Sequence, residues 1–265
     1  MSEQAGRRVG EGRTAEVYEY GSATVVKLLR PDFPRELVDI EAEVTAAAAE
    51  AGAPTPSVHG TTIVHGRHGI VLGLVGGISL LDLILNDLDR WDHWARLLAG
   101  VHSTILSCRA PRLIDVRQKL RERISNVGDF SESVRSRMVA ALESLPDGDT
   151  LLHGDFHPSN VFVAEDDDTT VTDWSEGARG PAAADVARTL HLISPLAIPP
   201  DLPQRDRVVE TAGEFTRVYL DTIVASGVTD RDQVDRWMVP VLAARLTEGI
   251  DWERSPILRQ IETLV

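Results

Sequence analysis

The chain has 265 residues, long for one compact core and comfortable for two lobes that share a cleft. Hydrophobic residues make up 43% and charged residues 26%, an ordinary globular mix that excludes disordered and fibrous classes. Acidic side chains outnumber basic ones 41 to 27, and the resulting formal charge of -14 repels phosphate backbones and anionic headgroups, so neither nucleic acid nor a membrane surface is an expected partner.

Two short β-type runs, Ala15 to Tyr20 and Thr24 to Leu29, are joined by Gly21-Ser22 and preceded by Gly10 and Gly12, a pattern that predicts a glycine-fronted hairpin. A helix is expected from about 35 to 51, ended by Gly52, Pro54 and Pro56. Two more strand-like runs, Thr61 to Val64 and Gly69 to Leu74, flank the turn at His65–His68. Gly76-Gly77 then marks a boundary, giving an N-terminal lobe over 1–76 and a C-terminal lobe over 77–265. Past it, Leu80–Leu88, Trp91–Leu106, Val116–Val127 and Val134–Leu145 all show helical apolar spacing. Strands return at Val161–Val163 and Thr170–Thr172, around the turn Glu165–Asp168. Helices follow from Asp185, with breaks expected over Pro195–Pro203 and at Pro240. The single cysteine, Cys108, admits no intrachain disulfide and reads as a small buried apolar residue. The polar start Met1–Arg8 and the lack of any long apolar run point to a cytoplasmic protein.

The densest chemistry lies in His153-Gly154-Asp155-Phe156-His157-Pro158-Ser159-Asn160, followed past the second hairpin by Asp173-Trp174. An antiparallel hairpin sets the start of its first strand beside the end of its second, so Asn160 and Asp173 should converge. Two hard oxygen ligands would then face one point, which suits magnesium, an ion that usually takes only one or two protein ligands. Asp155 stays free for a hydroxyl. Asp166–Asp168 read as a solvated turn, and His153 as a packing residue bonded to the loop backbone.

This pattern, His-Gly-Asp-x-x-x-x-Asn and then Asp-Trp, resembles the catalytic loop and metal motif of the aminoglycoside phosphotransferases, relatives of the protein kinases. The resemblance implies an α+β, bilobal, protein-kinase-like fold with a small β-rich N-lobe and a larger, mostly helical C-lobe. It makes Asp155 the carboxylate that orients the acceptor hydroxyl and takes its proton, and Asn160 and Asp173 the Mg2+ ligands. Trp174 stands where protein kinases have Phe. The stretch Asp173–Asp185 is too short for a protein-kinase activation segment, so a small-molecule acceptor is expected.

Of the basic residues only Lys27 and Lys119 are lysine, and Lys27 stands in an otherwise apolar strand, where an ammonium arm suits a phosphate oxygen better than a core position. Gly10-x-Gly12 ahead of it would offer backbone N–H groups to the nucleotide phosphates. By resemblance Glu41 holds Lys27, with Glu36 and Glu43 as alternatives, the base of ATP or GTP bonds the Leu72–Val75 connector, and Val25 roofs it. Asp185 reads as an N-cap that also braces the floor of the site. Lys119, among Arg117, Arg121 and Arg123, reads as part of a solvated helix face. The histidines at 59, 65 and 68 lack the paired spacing of zinc motifs.

A polycationic aminoglycoside would need carboxylates without matching bases. Glu176, Glu248, Asp251 and Glu253 are the candidates, Glu248 and Asp251 as an i, i+3 pair on one helix. The expected activity is therefore transfer of the γ-phosphoryl group of Mg-ATP or Mg-GTP to a hydroxyl of an aminoglycoside-like cationic antibiotic. The alternatives are a kinase of the same fold acting on homoserine, choline, a sugar or a macrolide, and a nucleotide-binding regulatory module without chemistry.

Overall fold

The computed structural model describes residues 5–264; Met1–Gln4 of the polar start and Val265 lie outside the described residues. Five strands, β1 (Arg8–Glu11), β2 (Ala15–Glu19), β3 (Thr24–Leu29), β4 (Val58–Val64) and β5 (Arg67–Gly73), form one antiparallel sheet in the order β1-β2-β3-β5-β4. The expected hairpin is β2–β3, with Val17 opposite Lys27. Gly10 lies in the additional strand β1, paired with Val17, rather than in a loop. Between β4 and β5, His65 and Gly66 both have positive φ, the two-residue turn whose twist matches a right-handed hairpin.

Alternation along β3 puts Val25, Lys27 and Leu29 on one face, and helix α1 (Glu36–Glu50) covers that face. Its Val38 packs with Val25, Leu29, Ile70 and Leu72. About two to three turns further along α1, Val44 and Ala48 belong instead to the large core of the helical part, so this helix is buried against both lobes.

Strand β6 (Ile78–Ser79) leads into α2 (Leu80–Asn86), α3 (Trp91–Leu106), α4 (Val116–Ser125) and α5 (Glu132–Glu143). The side chains of Ser79, Asp115 and Ser131 cap α2, α4 and α5 by accepting backbone N–H bonds, which explains where these helices start. Strand β7 (Thr150–Leu152) pairs with β10 (Ala178–Gly180), while β8 (Val161–Val163) and β9 (Thr169–Val171) form the second hairpin, with β6 on its edge. The chain closes with α6 (Ala182–Leu192), α7 (Arg205–Ser226), α8 (Arg231–Arg245) and α9 (Asp251–Leu264).

The break expected at Pro240 does not occur: α8 runs through it. Trp237, Val241, Leu242 and Ala243 are buried around the proline, and that packing outweighs one lost backbone hydrogen bond. The Pro195–Pro203 interruption is present, between α6 and α7. Cys108 is buried and free. Among the described residues no helix is long and apolar enough to cross a membrane.

Candidate active site

Strand β7 delivers the chain to His153, and the next residue makes a turn only glycine accepts easily: Gly154 has φ +78, and a Cβ there would lie 2.3 Å from the Glu176 carbonyl oxygen. The turn is pinned from below. Asp185, fully buried on α6, accepts from the backbone N–H of His153 at 2.6 Å and of Gly154 at 2.8 Å. It is not the N-cap, a position held by Pro181; it braces the loop from inside the helix. His102 of α3 lies 3.1 Å from the same carboxylate. Burial tends to raise the Asp185 pKa, but these donors outweigh it and hold the group below its ordinary value. The His153 ring accepts the Asp155 N–H on Nδ1 and faces the Thr172 carbonyl with Nε2 at 3.0 Å, so Nε2 carries the proton. That neutral form agrees with burial, which lowers the His153 pKa.

The hairpin brings Asn160 and Asp173 together as its register requires. Val161 opposes Val171, and the Thr172 N–H donates to the Asn160 carbonyl at 2.9 Å. Asn160 spends its Nδ2 on the Asp155 carbonyl at 3.0 Å, leaving Oδ1 without a partner among the described residues. Asp173 sits at φ 64, a left-handed turn that aims its carboxylate at Lys27 and Ser175 through Oδ1, with Oδ2 free among the described residues. Two hard oxygens on one hairpin end fit a magnesium ion completed by water and phosphate oxygens.

Lys27 lies between two carboxylates, 2.8 Å from Glu41 and 2.9 Å from Asp173. Its burial would lower the pKa, but the two negative charges outweigh burial and raise it, so the ammonium stays charged. Glu36 and Glu43 are exposed and only Glu41 meets the lysine. A Cβ at Gly10 would be 3.4 Å from Val17 and one at Gly12 would be 3.7 Å from the Ala15 carbonyl, so the fold itself demands neither glycine. Val25 and Leu72 are buried cross-strand partners. In the connector, the amides of Gly73 and Leu74 donate to Ser57 and Ala23, while the half-buried Val75 has an amide without a partner among the described residues.

Around Asp155 the charges form a shared network of ion pairs. Arg188, from α6, reaches Asp155 at 3.1 Å and Glu248 at 2.7 Å, and His157 stands 3.6 Å from the other Asp155 oxygen. Burial pushes the Asp155 carboxyl up, but His157 and Arg188 outweigh it and hold the group well below the usual carboxylate range. Arg245 binds Glu248 and, by two bonds of 2.6 Å, Glu253, which also takes His191 at 2.8 Å. Glu176 is bound by Arg123 at 2.6 Å and Lys119 at 3.1 Å. The unmatched carboxylates expected of a polycation site are therefore absent at Glu176, Glu248 and Glu253. Lys119 is no solvated side chain but a partly buried one turned inward. Its i, i+4 spacing from Arg123, beside Leu120 and Ile124 on the buried face of α4, was the available signal. Arg188 was missed although it carried the same signal as Lys27, a cation in an otherwise apolar segment. Glu248 and Asp251 share no helix. Glu248 ends a 3-10 turn that Gly249 terminates at φ +69, and exposed Asp251 opens α9.

The family model for the phosphotransferase enzyme family matches residues 5–221. Among solved structures, a thermostable mutant of aminoglycoside phosphotransferase APH(4)-Ia in ternary complex with ADP and hygromycin B superposes with a TM-score of 0.62 at 16% identity, covering 97% of this chain and 92% of that one. The GDP and kanamycin complex of APH(2")-IIia gives 0.60 at 17% identity, covering 100% and 94%. An aminoglycoside-3'-phosphotransferase of type VIII gives 0.57 at 17%, covering 91% of each chain. No curated protein matches in sequence. At such identities the likeness is one of fold, and it agrees with the small antiparallel-sheet lobe and larger helical lobe seen here. With the family's pattern matched over most of its length, the chain belongs to the phosphotransferase enzyme family.

Proposed function

We propose that the protein is a small-molecule kinase that moves the γ-phosphoryl group of a magnesium nucleotide, ATP or GTP, onto an alcohol. One observation carries this reading: Lys27 binds both Glu41 and Asp173, the Thr172 N–H beside Asp173 donates to the Asn160 carbonyl, and the Asn160 amide donates to the Asp155 carbonyl, so the five residues form one connected set across the cleft. Asn160 and Asp173 would hold the magnesium, which when bound neutralises phosphate charge. Lys27 would bind the α- and β-phosphates beneath Gly10 of β1 and the turn at Gly12, with the nucleotide base against Val25 and Leu72 and bonded to the Val75 amide.

Asp155 orients the acceptor hydroxyl. As the acceptor oxygen bonds to the γ-phosphorus and the bond to the β–γ bridging oxygen breaks, the hydroxyl proton leaves toward Asp155. A carboxylate held at so low a pKa is a poor resting base, so its main contribution is alignment, with the proton moving late in a loose transition state. We place the activity in the cytoplasm, where nucleotide is abundant and the lone thiol stays reduced.

Aminoglycosides, the ligands named for the solved relatives, are the first acceptors to assay. A second reading, a kinase for a metabolic alcohol, a sugar or a macrolide, is favoured by the basic partners of Glu176, Glu248 and Glu253, which leave only exposed Asp251 of the four candidate carboxylates without an ion pair among the described residues. An intact Lys27–Asp173 pair weighs against a module without chemistry. The test is nucleotide- and magnesium-dependent phosphate gain on a mixed alcohol panel, read by mass spectrometry. Asp155→Asn should retain nucleotide binding and lose at least about a hundredfold in turnover. Near-normal turnover of that variant would remove Asp155 from the mechanism.

A further inference from the structure

Beside the catalytic loop lies a cavity of roughly 270 Å³, bounded by α2, the start of α3, the 193–202 loop, α7 and the start of α9. Its wall is mostly apolar, with Ile84, Trp91, Ile198, Phe215 and Trp252 around Ala212. The recess opens to solvent beside the exposed Trp252 and is large enough to receive more than a few water molecules. Concave apolar chambers with a few polar groups at one edge are how proteins bury small molecules.

The polar edge here is the catalytic loop itself. His157 and Ser159 line the cavity, and the His157 Nε2 that lies 3.6 Å from the Asp155 carboxylate also stands 3.3 Å from Asn160 Nδ2. One side chain thus separates the chamber from the group that aligns the acceptor hydroxyl. The only charged side chains on the wall, Arg245 and Glu253, are bound to each other by two hydrogen bonds, and Glu253 is bound by His191 as well. Neither offers a free charge to a ligand. Trp252 is 42% exposed and sits on this wall, an indole placed to cover a hydrophobic guest from the solvent side.

We propose that this cavity receives the apolar body of the acceptor, so that the substrate is a largely uncharged alcohol with a sizeable hydrophobic portion, rather than a polycationic sugar. The proposal rests on the kinase reading of Asp155 and adds the acceptor's chemical class. Its hydroxyl would reach Asp155 past His157 while its apolar part lies between Phe215 and Trp252.

The test uses the whole chain with four probes: kanamycin and hygromycin B as polycations, a neutral macrolide and 4-phenylbutanol as hydrophobic alcohols. Transfer is read by mass spectrometry, and binding without nucleotide by quenching of tryptophan fluorescence, which does not depend on turnover. A hydrophobic alcohol should be bound and phosphorylated. Ala212→Phe, which fills the chamber from α7, should raise its KM at least tenfold. The nucleotide Kd, measured in parallel, tells a filled cavity from a lost fold, and should the fold be lost, Trp252→Ala at the exposed rim should raise KM at least threefold and reduce quenching. Phosphorylation of a polycation with a KM that neither variant moves would overturn the proposal, and so would the absence of binding by both hydrophobic alcohols. The kinase reading fails separately, if no nucleotide binds or if transfer survives Asp155→Asn.

Discussion

Asp185→Asn keeps the volume of the side chain and tests whether the buried carboxylate organises the loop that carries Asp155. In the native protein one oxygen accepts from the His153 N–H and faces His102, and the other accepts from the Gly154 N–H. An asparagine can keep an oxygen at only one of these places. With its oxygen toward His153, its NH2 faces the Gly154 N–H, donor against donor. A buried donor left unpaired costs about 1–3 kcal/mol, and the remaining bonds lose their charge assistance, about 1 kcal/mol more. Relief from burying a charge offsets part of this. The net loss should be about 2–3 kcal/mol, a fall in melting temperature of roughly 5–10 °C for a chain of this size. Scanning calorimetry reads that shift. Because the loop carries Asp155, turnover should also fall by about tenfold, through misalignment rather than weaker nucleotide binding. A melting temperature within about 1 °C of the native one, with unchanged turnover, would refute the bracing role.

Lys27→Met removes the cation shared by Glu41 and Asp173 and should weaken nucleotide binding by at least about tenfold in calorimetry; unchanged affinity would free Lys27 from phosphate binding. Gly154→Ala forces a Cβ against the Glu176 carbonyl at positive φ and should destabilise the protein by more than about 1 kcal/mol in denaturant, more than an exposed Gly→Ala change. Glu253 supplies an acid limb to stability. Burial works to raise its pKa, but Arg245 and His191 outweigh it and lower the group from 4.5 to about 2. A depressed carboxyl stabilises fully above its unfolded value, and that contribution, about 3 kcal/mol, is lost as pH falls from roughly 4.5 toward 2. Glu253→Gln should flatten stability against pH in that window, and an unchanged slope would show the pair to be uncoupled from folding.

The sequence alone determined the parts whose chemistry is local. The meeting of Asn160 and Asp173 was legible because a hairpin's register fixes which residues meet, whatever surrounds it, while Asp155 stood out through the resemblance of the His153–Asn160 pattern. Lys27 stood out because an ammonium in an apolar strand needs a reason. The end of α1 was legible through Gly52 and Pro54, whereas the caps Asp115 and Ser131 emerged only from the structure. Strands β6, β7 and β10, two or three residues each, were not legible, because unlike the equally short β8 and β9 they have no partner run across an adjacent turn, and their pairing partners lie far away in the chain. Pro240 misled because a local rule was overridden by packing on every side of α8. Tertiary structure alone decided the character of the acceptor side. Whether Glu176 or Glu248 is a free carboxylate depends on Lys119, Arg123 and Arg188, residues far away in the chain and brought in by α4 and α6. Charge pairing and cavity shape are sums over such distant contacts, and no window of sequence contains them.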